Sequence, residues 1–140
     1  MKKILSVGAL ALCALFVIGC GGSKKLTCTM SQDMMGISMT LDTVVEFKSD
    51  KATKIEMITV MEAEDEETAK ALKESYDSDA EEEMPKGVTL STNVKGKKFT
   101  ATMKYDLTKL SAEDKEDAGF TGEKYDDLKK EIEASGFKCK

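Results

Sequence analysis

The sequence predicts an α+β fold in which an antiparallel sheet of about five strands carries helices on one face. Apolar and polar residues alternate with period two across Ile37–Phe47, which is typical of a half-buried strand. Two later segments, 69–76 and 125–132, instead repeat apolar residues with helical spacing. The resulting order is strand, hairpin, helix, hairpin, helix. Strands joined by short turns pair antiparallel, and the separate helices then cover one side of the sheet.

Three stretches of alternation define the strands. The first strand is predicted at 26–31. A hairpin of long strands follows at about 37–48 and 52–62, joined by a Ser-Asp-Lys turn. A second hairpin spans 88–105 around a Lys-Gly-Lys turn.

Helix signals occur after each hairpin. The first helix is predicted at about 65–79, because acidic residues occupy its first turn and favour the positive end of the helix dipole. Ser111, three residues before Asp114, predicts a capping box that opens a short helical turn. The last helix is expected to end at Gly136 in a left-handed conformation, with Phe137 packing back onto it.

The N-terminus has the layout of a lipoprotein signal. Lys2 and Lys3 precede the uncharged apolar run Ile4–Ile18, and Gly19 then precedes Cys20. The alternative is a membrane-spanning helix, but a span needs about 20 apolar residues and this run is shorter. A basic start, a short apolar run and a small residue before the cut are typical of a cleaved signal. Val-Ile-Gly-Cys resembles a bacterial lipobox, which implies that the Cys20 sulfur carries a diacylglyceryl group.

These features predict three segments: a signal peptide at 1–19, a lipidated cysteine with a flexible tether at 20–25, and one α+β domain at 26–140. Because two acyl chains anchor a protein stably, we expect the domain to stay on the extracytoplasmic side of the cell membrane. Membrane contact is predicted through the anchor alone.

Composition narrows the function classes. The 140 residues carry a net charge of −5, and loss of Lys2 and Lys3 with the signal leaves −7. An acidic body repels phosphates, so no nucleic-acid partner is expected. The chain has no histidine, the usual general base and metal ligand. No nucleophile motif or glycine-rich phosphate loop occurs either, so we expect no enzyme activity, no catalytic residue and no cofactor.

Cysteine usage predicts one disulfide. Cys13 leaves with the signal and Cys20 carries lipid, so Cys28 and Cys139 remain as an even pair in an oxidising compartment. The alternatives are two free buried thiols or a redox pair. Without a Cys-x-x-Cys spacing, a structural bond that closes a loop of about 110 residues is favoured.

Methionines and carboxylates raise an alternative, metal handling. Thioethers select Cu(I), but the spacing of most methionines places them on the inward phase of strands, where they fill a core. Asp77, Asp79 and Glu81 alternate like the first ligands of a calcium loop. Glu82 and Val88 stand where that loop needs glycine and glutamate, so the motif fails and no metal ligand is assigned.

A contact surface is predicted on the face of the sheet without helices. Val44, Ile58 and Val60 fall on its outward phase, where polar residues are expected. Either a helix or loop covers them or they mark a partner site, for an envelope protein or a small ligand. Met34 and Met35, before Gly36 in a predicted turn, form a second candidate as an apolar contact tip.

Several segments together resemble the YehR-like family of small bacterial lipoproteins. They are the lipobox, the strand pair VVEFKSDKATKIEMI, the acidic helix DEETAKALKESYDS, the strand entry KGV and the C-terminal YDDLKKEIEASGFKC. The resemblance implies a membrane-anchored α+β domain outside the cytoplasm, with no established activity and no catalytic residues. The sequence therefore predicts a non-enzymatic binding or interaction lipoprotein of the cell envelope, with handling of Cu(I) or Ca²⁺ as the alternative.

Overall fold

Six strands form one antiparallel sheet in the computed structural model, which describes residues 23–34, 36–80, 84–119 and 124–140. The strand order is β4-β5-β3-β2-β1-β6. The strands are β1 (Ser23–Met34), β2 (Ile37–Lys48), β3 (Lys51–Glu62), β4 (Val88–Lys95), β5 (Lys98–Asp106) and β6 (Lys138–Cys139). The helices are α1 (Glu66–Ala80), α2 (Ala112–Asp117) and α3 (Tyr125–Ala134). The predicted α+β class and antiparallel sheet are confirmed.

The first three strands form a long meander that sets the register of the sheet. Each has twelve residues, and Val45 lies opposite both Leu26 of β1 and Ile55 of β3. The β2–β3 turn is tight because Ser49 and Asp50 both adopt positive φ, at 52° and 62°. Such a left-handed pair matches the twist of a two-residue hairpin.

Helices α1 and α2 each follow a hairpin, and α3 follows α2. The two longer helices, α1 and α3, cover one face of the sheet, which we call the helix-bearing face. In α1, Ala69 packs with Phe99 of β5, and the Tyr76 ring lies 4.9 Å from that of Phe99. In α3, Leu128 packs in a second apolar cluster with strands β1 to β3. The buried strand residues of this face are Leu26, Cys28, Thr43, Val45, Phe47, Ala52, Ile55, Phe99 and Ala101.

The residues predicted to cap the helices lie at the observed helix ends. Asp65 precedes α1, and its carboxylate accepts a 2.7 Å hydrogen bond from the Thr68 backbone N–H. Ser111 and Asp114 form the predicted capping box of α2. Gly136 follows α3 with a φ of +95°, as its predicted left-handed role requires.

Three boundaries differ from the sequence prediction. Ser23–Lys25, assigned to the flexible tether, are the first residues of β1, because Lys48, Phe47 and Glu46 pair with them. A sixth strand, β6, was not predicted, since two residues are too few to show alternation. Helix α1 ends at Ala80, one residue beyond its predicted end.

Candidate contact surface

The side of the sheet away from the helices is a regular array, which we call the open face. Five strands contribute to it, in the order β1, β2, β3, β5 and β4, and residues in register form rows across them. Ile58 lies on the middle strand in the middle row. The five rows are Lys25-Glu46-Lys54-Asp106; Thr27-Val44-Glu56-Lys104-Thr89; Thr29-Asp42-Ile58-Thr102-Ser91; Ser31-Thr40-Val60-Thr100-Asn93; and Asp33-Ser38-Glu62-Lys98-Lys95.

Three aliphatic side chains interrupt this polar array. Val44, Ile58 and Val60 are each half-buried, and none belongs to either core cluster. Within the ranges given above, the helix residues of those clusters pack only against the opposite side of the sheet. The predicted outward phase is therefore correct, and these three residues are not fully covered.

Charged groups are concentrated at the two ends of the open face. In the first two rows, Lys25 Nζ lies 3.7 Å from Glu46 Oε1, and Lys104 Nζ lies 3.3 Å from Glu56 Oε1. The third and fourth rows are mostly hydroxyl-bearing. Asp42 carries the one carboxylate of these two rows, and it accepts a 2.6 Å hydrogen bond from the Thr29 hydroxyl at Oδ1. The middle of the open face therefore carries one carboxylate, Asp42, among hydroxyl and aliphatic side chains, and its ends are ionic.

A cleft of about 560 Å³ lies where the charged end of the open face meets the start of β4. Lys54, Lys86, Lys104 and Lys109 line it, together with Glu46, Glu56 and Asp106. The Thr108 hydroxyl and Lys109 hold the pKa of the Asp106 carboxyl below its ordinary value. The cleft therefore brings lysine and carboxylate side chains together, an arrangement suited to binding a charged group.

Gly87 shapes this cleft by its backbone. Its φ is +102°, and an added Cβ would lie 2.9 Å from Lys109 Cβ and 3.0 Å from the Asp106 carbonyl oxygen. The Gly87 carbonyl also accepts a 2.8 Å hydrogen bond from the Asp106 N–H. Only glycine permits this close approach of two backbone segments.

The methionines of β2, β3 and β5 lie on the helix-bearing face, as their phase predicts. Met39 pairs with Met61, and Met57 pairs with Met103. All four are half-buried. The Tyr105 hydroxyl donates a 2.7 Å hydrogen bond to Met103 Sδ, and burial raises the pKa of Tyr105.

A second cavity, of about 200 Å³, lies between this face and α3. Val45, Ile55 and Met57 line its sheet side, and Leu128 and Ile132 line its helix side. Its walls are mainly apolar, so it is a gap between packed layers rather than a site with convergent polar groups.

The acidic segment that alternates like a calcium loop begins within helix α1. Asp77 lies within α1, where its carboxylate accepts hydrogen bonds from Lys73 Nζ and the Thr92 hydroxyl. These two donors hold the pKa of Asp77 below its ordinary value. Glu81 lies outside the described residues. Among the residues that are described, no three carboxylates or cysteines are grouped so as to hold a metal ion.

Cys28 and Cys139 form the predicted disulfide. Their Sγ atoms lie 1.97 Å apart, and the two residues face each other across the β1–β6 pair. Cys28 is fully buried. The bond joins the ends of the domain, because the two cysteines are 111 positions apart in the chain.

The remaining predicted sites fall outside the described residues. They are Cys20, Met35 and the side chain of Met34, whose backbone ends β1 opposite Ile37. The contact tip at Met34 and Met35 therefore stays a prediction. No helix in the described part of the chain is long and apolar enough to cross a membrane.

Sequence reasoning missed how strongly charge is divided between the two layers. The three described helices contain thirteen acidic residues and five lysines, a net charge of −8. The six described strands contain six acidic residues and nine lysines, a net charge of +3. The signal that could have found this division is the net charge of each predicted element, summed from the sequence.

Comparisons of the chain with protein-family models, with curated proteins and with solved structures found no match.

Proposed function

We propose that this protein is a lipid-anchored lipoprotein of the cell envelope, and that it acts as a non-enzymatic binding module through its open face. The observation that carries the proposal is the partial exposure of Val44, Ile58 and Val60 on a sheet face with no described helix over it. Apolar side chains grouped on a polar surface mark interaction sites. Because Val and Ile are stiff at χ1, they lose little side-chain freedom on binding.

The lipobox supports the anchor, and the start of β1 refines its geometry. Strand β1 begins at Ser23, so only Gly21 and Gly22 lie between the sheet and Cys20. The chain from Cys20 to Ser23 extends over at most about 11 Å, which is shorter than the tether expected from sequence. An acyl group on Cys20 would hold this end of the sheet close to the membrane surface. The resemblance to YehR-like lipoproteins agrees with this placement and stays a prediction.

Labelling with a fatty acid tests the anchor. We expect the full-length protein to incorporate the label and to fractionate with membranes, and Cys20→Ala to do neither. Cys13→Ala is the matched control, because Cys13 belongs to the predicted signal and should leave labelling unchanged. Label retained by Cys20→Ala would contradict lipidation at this residue.

Photo-crosslinking in intact cells tests the contact surface. A photoreactive amino acid at position 58, in the centre of the open face, should give a discrete crosslinked product. The same amino acid at position 71, an exposed alanine of α1, is the control. Equal products at both positions, or none at position 58, would argue against the open face as the contact surface.

Metal handling is a second candidate, favoured by the direct opposition of Met39 with Met61 and of Met57 with Met103. Paired thioethers suit Cu(I). Titration of the protein with Cu(I), and separately with Ca²⁺, tests it. Cu(I) binding that is lost in a Met39→Leu and Met61→Leu double variant would support the candidate, and absence of saturable binding below millimolar would remove it.

A further inference from the structure

The charged residues of the open face are arranged symmetrically about its middle row. Its first row reads Lys25, Glu46, Lys54 and Asp106 from β1 to β5, with alternating sign. Its fifth row carries Asp33, Glu62 and Lys98 on the same strands as Lys25, Lys54 and Asp106. On each of these three strands, the residue at one end has the opposite charge to the residue at the other end.

We infer that the open face is a homodimer interface, in which a second copy of this chain packs face to face with its strands antiparallel. A two-fold axis that crosses the strands through the middle row places the first row of each copy over the fifth row of the other. Lys54 then faces Glu62, and Lys25 faces Asp33. Each ion pair occurs twice, because the symmetry makes the interface isologous.

The direction of the axis is decided by charge. A two-fold axis that runs along β3 would place each row over the same row of the other copy. Strand β3 would then lie over β3, and β2 over β5. Lys54 would then face Lys54, and Glu46 would face Asp106, which are like-charge contacts that oppose association. The axis across the strands avoids these contacts and gives opposite charges at both ends.

Of the three apolar residues, only the central one lies on the axis. Ile58, in the middle row of the middle strand, meets Ile58 of the other copy. Val44 and Val60 lie in the rows on either side of it, where they face Thr40 and Glu56 of the other copy. An apolar centre with an ionic periphery is the usual anatomy of a protein interface.

The face is large enough for a dimer. Strands lie about 4.8 Å apart and same-face residues about 6.7 Å apart along a strand, so the area between the outermost rows and strands is about 500 Å² per copy. Two copies then bury about 1,000 Å², which is about the lower limit for a biological interface. Two sheets packed face to face with strand directions within about 30° of each other are a common arrangement.

The same axis suits two anchors in one membrane, a point that rests on the proposed lipidation of Cys20. Rotation about an axis across the strands leaves the β1–β6 edges of both copies on the same side of the dimer. The first strand of each copy begins at Ser23, beside that edge. With the axis normal to the membrane, both lipidated cysteines reach the same leaflet.

Two kinds of contact oppose the dimer, Val60 against Glu56 and Asp42 against Asp42, and the second provides a test by gain. Asp42 lies in the middle row, so it meets Asp42 of the other copy, although the Thr29 hydroxyl donates to it. We expect Asp42→Asn to strengthen self-association severalfold. Weaker or unchanged association in this variant would contradict the placement of the axis.

Charge reversal at Lys54 and Glu62 tests the inference directly. Full-length protein carrying two different epitope tags is co-expressed, extracted in a mild detergent, and purified through one tag. Wild-type copies should co-purify, whereas Lys54→Glu alone or Glu62→Lys alone should reduce recovery of the second tag at least tenfold. Co-expression of one variant with the other should restore recovery, because each reversed charge then meets its opposite.

Restoration by the mixed pair also shows that both variants fold. Lys130→Glu, an exposed residue of α3, is the matched control and should leave co-purification unchanged. The inference is overturned if wild-type copies do not associate, if neither single variant weakens association, or if the mixed pair is not restored. Membrane fractionation of the same samples reports the anchor separately, so a failed dimer and a failed lipidation are distinguishable.

Discussion

The two faces of the sheet differ in composition even though the same strands build both. Every buried apolar strand residue among those described lies on the helix-bearing face, including Phe47 and Phe99. The open face carries threonines, charged rows and three half-buried aliphatic residues. The buried face therefore contributes most of the apolar packing of the described domain. The difference separates residues that form the core from residues that remain accessible to solvent or to a partner.

Charge divides the molecule along the same boundary. The described helices carry a net charge of −8, and the described strands carry +3. An acidic helical layer repels an anionic membrane and other acidic surfaces. The open face, with its balanced rows, is the side on which close approach of a second macromolecule is least opposed.

The largest expected effect is a loss of stability on truncating a buried side chain of the helix-bearing face, compared with the same truncation on the open face. Phe99 is fully buried under α1, so Phe99→Ala should lower the free energy of unfolding by about 3–5 kcal/mol. Val60 is half-buried on the open face, so Val60→Ala should lower it by less than about 1 kcal/mol. Urea denaturation of both variants measures the contrast. Similar losses at the two positions would mean that the open face is part of the core.

The disulfide gives the next largest effect. Removing the bond releases α3 and β6 from β1, so a Cys28→Ala and Cys139→Ala double variant should lose about 2–5 kcal/mol of unfolding free energy. A reducing agent should lower the melting temperature of the wild-type protein and leave that of the double variant unchanged. A wild-type protein insensitive to reduction would show that packing of α3 alone holds the C-terminus.

Much of this fold was predictable from sequence because its strands alternate cleanly. The period of Ile37–Phe47 predicts which residues face the helices, and Val45 and Phe47 are indeed buried. Local capping chemistry at Ser111 and Gly136 was also sufficient to place helix ends. These features depend on neighbours in sequence, so they appear in the sequence itself.

The missed features depend on pairing between distant segments. Ser23–Lys25 form a strand because β2 extends to Lys48 and offers them partners, and β6 forms by pairing with Cys28 and Thr29 of β1. The charge rows of the open face likewise require the register of five strands. Pairing of this kind is set by tertiary context, which overrides local propensity.

A smaller effect is expected from the glycine beside the cleft. Gly87→Ala should destabilise the domain by about 1–3 kcal/mol, because a Cβ there meets Lys109 and the Asp106 carbonyl at a positive φ. Gly96 has a φ of +60° and open space around it, so Gly96→Ala should cost less. Thermal melting of both variants checks the order. A larger loss at Gly96 would contradict the close approach of backbone at this end of the open face.

The smallest expected effect is a pH dependence confined to the helix-bearing side. Lys73 and Thr92 lower the pKa of Asp77 in the folded protein, so its stabilising contribution is complete above the unfolded value of about 3.8. That contribution is lost as the pH falls from about 4 through the lowered folded pKa. Asp77→Asn should therefore lose less stability than the wild-type protein between about pH 5 and pH 2, measured as a melting temperature.

Glu74→Gln is the matched control for Asp77→Asn, because it also removes one carboxylate from α1. Unlike Asp77, the Glu74 side chain makes no hydrogen bond to the described residues. Its melting temperature should fall with acid as steeply as that of the wild-type protein. If both variants flattened the acid dependence equally, the cause would be the summed negative charge of α1. If only Asp77→Asn did so, the contact between α1 and Thr92 of β4 would be the acid-sensitive link between helix and sheet.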